Sequence, residues 1–133
     1  MSSSGKVQKA EVFKVDEALG LVFGWGIICT EKGEDYFDTQ GDHIPEDVMV
    51  TSTSDFMENA RIAKDMHQGD QHGTIVHSFP LTKEIASAMG IETEKTGWMV
   101  AMKPSAEILA KYADGTYTGF SIGGGCSYVE EAA

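Results

Sequence analysis

The run YTGFSIGGG, Tyr117 to Gly125, is the first place in this 133-residue chain where residue types suggest a reaction: Ser121 has a glycine two positions away on either side. Gly119 to Gly123 satisfy G-x-S-x-G, the turn that lifts a nucleophilic serine out of an α/β-hydrolase sheet. That fold places its acid and then its histidine after the serine. Only twelve residues follow Ser121, and none is a histidine. From the letters alone, a glycine-rich strand with another backbone passing close by carries at least equal weight.

A serine becomes a nucleophile when a base lies within hydrogen-bond reach. His67, His72 and His77 recur every five residues, a spacing that scatters them round a helix and alternates their faces on one straight strand. A turn at GDQHG changes this, because it sets His67 opposite His77 across an antiparallel pair, with Cβ atoms about 4.5–5.5 Å apart. One imidazole then takes the Ser121 proton while the other fixes its tautomer and orientation. The competing chemistry is a metal site built from His67, His77 and Asp65 or Asp70, since imidazole and carboxylate suit zinc. No H-E-x-x-H or comparable local pattern supports it, and neither metal nor other cofactor is expected.

The remaining reactive residues have plainer readings. His43 and His72 lie in polar, glycine-containing loops and are expected at the surface. Cys29 and Cys126 are too few and too far apart for a disulfide framework or a C-x-x-C site and are expected as buried thiols. Asp38 and Asp42 sit in an acidic loop that needs no cation. Trp25 and Trp98, each beside a glycine on an expected strand, read as core.

These residues must be positioned by the elements around them. AEVFKVDEALGLVFGWGIIC alternates as two strands joined at DEALG, with Gly20 supplying a positive φ. TEKGEDYFDTQGDHIP reads as an exposed loop. Pro45, then Glu46 and Asp47 at the positive end, opens a helix expected over 46–64, its face carrying Val48, Phe56, Ala60 and Ala63. GTIVHSF is a strand by β-branching. LTKEIASAMG is a helix between the N-cap Thr82 and Gly90, and SAEILAKYADG one between Ser105 and Gly115. TGWMVAMKP and TYTGFSIGGGCSYVEE supply further strands. Strands interrupted by helices, without a regular βαβ rhythm, make the fold α+β and mainly β. Residues 1–8 are expected as a disordered leader and 9–133 as a single domain.

A net charge of −11 and a pI near 4.6 leave no electropositive surface for neutralising phosphates, so nucleic acid is not an expected partner. No apolar run approaches a membrane span, and no basic amphipathic stretch or secretory h-region is present. A cytoplasmic setting follows as the expectation.

Taken in order, GLVFGWGII (Gly20 to Ile28), FDTQGDHIP (Phe37 to Pro45), DMH ending at His67, GTIVHSF (Gly73 to Phe79), MGIETEKTGWMVAMK (Met89 to Lys103) and GTYTGFSIGGG (Gly115 to Gly125) resemble the phage prohead maturation proteases. The likeness is greatest to the phage serine proteases of the XkdF type. It implies a closed β-barrel surrounded by helices, akin to the herpesvirus assembly proteases, and a serine endopeptidase that trims scaffold and major capsid proteins inside the prohead in the host cytoplasm. By the resemblance Ser121 is the nucleophile, His67 the general base and His77 the third member. Many relatives carry an acid at the last position, usually a glutamate before the serine matched by Ser78, so this chain departs toward a Ser-His-His arrangement. Backbone N–H groups near Gly123 and Gly124 are oxyanion-hole candidates. The resemblance also implies a homo-oligomer, dimer or higher, and offers one origin for the end at Ala133, self-cleavage near Glu130 or Glu131. The alternatives are a catalytically silent capsid- or scaffold-associated module of the same fold and a metal-dependent hydrolase.

Overall fold

The computed structural model describes residues 7–60 and 73–123. Its sheet has the strand order β4-β5-β2-β1-β6: β1 is Val7–Asp16, β2 Leu21–Glu31, β4 Gly73–Leu81, β5 Lys95–Pro104 and β6 Gly119–Gly123. A two-residue β3, Glu34–Asp35, folds back on the end of β2 inside the expected loop. All ladders are antiparallel. The β1–β2 hairpin turns where the sequence places it: Gly20 takes φ 73° and donates to the Asp16 carbonyl at 2.9 Å, while the Asp16 carboxylate accepts from Leu19 N–H at 3.0 Å.

The strands are long but not regular. Register shifts fall between Val12 and Lys14, Trp25 and Ile27, Ile28 and Thr30, and Ile75 and His77. Each extra residue bends its strand and increases local twist, and the sheet curls into a half-barrel. This corrects the closed barrel that the resemblance implies: among the described residues no ladder joins β4 to β6. The physical reason lies in the edge strands. β4 carries Pro80, which has no N–H to give, beside the bulge at Val76, and both are features of an edge. β6 is only five residues long and is paired to β1.

Among the described residues, three α-helices pack on the sheet. α1, Glu46–Asp55, starts with the Pro45 carbonyl accepting from Met49 N–H at 2.9 Å and has Glu46 and Asp47 in its first turn, where the helix dipole favours negative charge. It passes into a π-helical turn, Phe56–Ala60. Its buried face is Met49, Thr53 and Phe56, and Val48, expected inward, is 48% exposed. The expected stretch 61–64 lies outside the described residues. α2, Lys83–Met89, is bounded as the sequence indicates, by a Thr82 side chain accepting from Ile85 N–H and by Gly90 at φ 69°. α3, Ala106–Ala113, begins with Ser105 accepting from Ile108 N–H at 3.3 Å and is followed by Gly115 at φ 87°.

The main core lies under α1 and α3 and gathers Val22, Ile27, Cys29, Met49, Phe56, Ile75, Trp98, Val100, Met102, Tyr112, Phe120 and Ile122. A smaller cluster of Trp25, Leu81 and Ala86 packs beside α2 with Phe79, Ile85 and Met99. Trp25 and Trp98 are both buried, as the sequence suggests. Gly26 makes room for Trp98: a Cβ there would lie 2.6 Å from the indole Cε3 and 3.2 Å from Ile122 Cδ1. Any side chain at this point of β2 would lift the indole off the sheet.

Candidate active site

Ser121 is the middle residue of β6, paired with Lys9 on β1 and described through its backbone. Its neighbours Phe120 and Ile122 are buried in the main core, which fixes the strand on both sides of the serine. The entry to β6 is held as well. Tyr112, on α3, donates its hydroxyl to the Gly119 carbonyl at 2.8 Å and stacks edge-on against Phe120 and Tyr117. Burial first, then the proximity of Tyr117, pushes the Tyr112 phenol well above its ordinary range, so it remains a donor throughout the physiological range. The alternative reading of the glycines is realised at Gly119, where a Cβ would stand 2.8 Å from the Ala10 carbonyl oxygen of β1. The glycine preceding Phe120 therefore serves strand packing.

His77 lies on β4, opposite Ala101. Ile75 is in the core, and an unbroken strand would put His77 on the same face two residues later. The extra residue Val76 prevents this: Val76 and His77 both face solvent, and Ser78 turns back inward. Bulges re-aim side chains in this way beside functional sites. Ser78 is then positioned to accept the Trp98 indole N–H at 2.6 Å. On its other side Trp98 meets Phe56 edge-on, with ring centroids 5.4 Å apart.

Ser121 and His77 thus sit on opposite edge strands, separated in the sheet by β5, β2 and β1. Strand pairing does not bring them together. His67 lies outside the described residues, as do Gly124, His72, Cys126 and both aspartates, Asp65 and Asp70, of the alternative metal set. The expected turn at GDQHG and the facing of His67 and His77 across it lie there too. Gly123 ends β6 opposite Val7. Of the leader expected over 1–8, only Val7 and Gln8 are described, and they belong to β1.

Three other titratable groups, His43, Asp38 and Cys29, have structural occupations. The His43 Nδ1–H donates to the Tyr36 carbonyl at 3.0 Å, and its Nε2 lies 3.7 Å from the Asp35 carboxylate, so this histidine ties the β3 loop together. The Asp38 carboxylate accepts from the backbone N–H groups of Gln40 and Asp42, a turn-forming use that requires no cation. Cys29 is a buried free thiol, pushed up to about 11 by burial and then by the charge of Glu46. Among the described residues, no group of three or more histidine, cysteine or acidic side chains is assembled to hold a metal ion.

Of the residues that hold the candidate site, the sequence reads Trp98 only as core and Ser78 only as the serine after His77, and it does not single out Tyr112. One signal was present: a buried tryptophan or tyrosine generally needs a partner for its polar atom. Finding that partner requires the strand register, and the bulge at Val76 sets the register.

The family model described as "Putative phage serine protease XkdF" matches residues 9–130. The chain belongs to this family, as its ordered motifs indicate. Neither the search of curated proteins nor the search of solved structures found a match.

Proposed function

We propose that this protein is the endopeptidase that processes scaffold and major capsid proteins during phage prohead maturation, with Ser121 as nucleophile, His67 as general base and His77 orienting His67. The observation that carries the reading is membership of a phage serine protease family over residues 9–130, a span that includes all three residues. Support also comes from β4 and β6. A bulge turns His77 outward, and Ser121 is centred on a strand whose neighbouring side chains are locked in the core.

In this reading the Ser121 oxygen attacks the scissile carbonyl as His67 removes its proton. Backbone N–H groups at Gly123 and Gly124 receive the developing oxyanion. His67 returns the proton to the departing amine, and water then releases the acyl group by the same relay. His77 holds the second ring nitrogen of His67. An imidazole stabilises an imidazolium less than a carboxylate does, which suits an enzyme acting on substrates concentrated beside it in the prohead. The working form is a homo-oligomer, and the enzyme also cleaves itself.

The test is co-expression with the cognate scaffold and capsid proteins, following product masses for wild type, Ser121→Ala and His67→Ala. Cleavage in wild type that disappears in both variants is the expected result. Cleavage surviving Ser121→Ala removes that serine as nucleophile, and intact substrates in every sample favour a silent module of the same family.

A further inference from the structure

Trp98 touches the surroundings of the proposed site from three directions. Its indole N–H donates to Ser78 Oγ at 2.6 Å, and Ser78 directly follows His77. Its ring packs edge-on against Phe56, the first residue of the π-helical turn from which the chain continues toward His67. Trp98 and Ile122, the residue after Ser121, also crowd the same point above Gly26, where a Cβ would meet both. Trp98 itself is 2% exposed, and its bond to the half-buried Ser78 is part-buried.

The bond to Ser78 differs in kind from the packing contacts. Trp98 and Ser78 are not directly paired: Trp98 lies opposite Pro80, and Ser78 lies opposite Val100. The side chains therefore reach diagonally across the ladder, and a shift of β4 by one residue would break the bond. Such a shift would also exchange the faces of Val76, His77 and Ser78. A single hydrogen bond consequently reports, and helps to fix, which face of the sheet His77 occupies.

We infer that Trp98, through its hydrogen bond to Ser78, is a positioning residue that keeps His77 on the outward face of β4, where the proposed reaction requires it. The inference rests on the serine protease reading. It assigns Trp98 and Ser78 no contact with substrate, and their effect passes through the neighbouring backbone.

The experiment is the rate of covalent labelling by a fluorophosphonate, which needs no knowledge of the natural substrate. The Ser121 oxygen forms a bond to phosphorus as the phosphorus–fluorine bond breaks and fluoride leaves, the proton passing to the base. Rates are measured well below the melting temperature of each variant. Ser78→Ala is expected to slow labelling about tenfold, consistent with a sub-ångström misplacement, and Ser78→Thr, which keeps the hydroxyl, to restore it. Trp98→Phe is expected to match Ser78→Ala, and the double variant to be no slower than either single one, because both remove one bond. Wild-type rates in Ser78→Ala overturn the inference, as does equal slowing in Ser78→Thr. A wild-type protein that is not labelled, or labelling that persists in Ser121→Ala, instead overturns the protease reading and the inference with it.

Discussion

The two edges of the sheet are secured by the same kind of device used differently. On β4 the Trp98 indole donates to a side chain, Ser78 Oγ; on β6 the Tyr112 hydroxyl donates to a main-chain carbonyl, that of Gly119. A side-chain acceptor can be lost by mutation from either end, whereas a backbone acceptor can be lost only by changing the tyrosine. The β4 edge is therefore more open to adjustment. It is also the edge with a bulge and a proline. The β6 edge is short and unbulged, and its central residue is Ser121.

Substitutions can test that contrast. The largest effect is expected for Trp98→Ala, which leaves a cavity where Phe56, Ile122 and Ser78 meet and should cost about 3–5 kcal/mol in urea unfolding. Gly26→Ala should cost about 1–3 kcal/mol, because the new methyl would overlap the indole. If it proves neutral, the indole does not lie on β2 as described. Tyr112→Phe keeps the ring and removes only the hydroxyl. It should lower stability by about 1–3 kcal/mol, since the partly buried Gly119 carbonyl loses its donor. A loss as large as that of Trp98→Ala would erase the difference between the edges. Ser105→Ala, which removes the cap of the helix bearing Tyr112, should cost about 1 kcal/mol.

The smallest effect concerns Cys29 on the central strand, β2. Its folded pKa, about 11, lies above the ordinary 9.0. Its contribution to stability is complete below pH 9 and is lost as pH rises toward 11, because the unfolded thiol ionises first. Iodoacetamide labelling of this thiol at pH 8 should follow global unfolding. Rapid labelling of the native protein would contradict its burial.

Much of the frame was legible because local chemistry decides it. The Gly20 turn, the helix between Thr82 and Gly90, and the helix opened by Ser105 each follow from a few adjacent residues. The bulges did not follow, since an extra residue in one strand is defined only against its partner. Without the bulge at Val76 the sequence pattern cannot say that His77 faces outward or that Ser78 meets Trp98. The barrel was overestimated for a related reason. Strand-forming segments count the staves, but closure depends on whether the last edges meet, and among the described residues no ladder joins the bulged β4 to the short β6. Ser121 could be located on a strand from its sequence, but its distance from either histidine could not.

The pairing of β1 with β6 has a consequence in time. Val7 lies opposite Gly123, so the ladder that seats Ser121 joins the first described strand to the last and is among the most non-local contacts available to the chain. Contacts of this kind form slowly, because a long loop must close before they give any return. During synthesis the β1–β2 hairpin can form early, but β6 has no place until the ribosome has released almost everything before it. A newly made chain would therefore seat the strand that carries Ser121, the proposed nucleophile, only after the described strands that precede it.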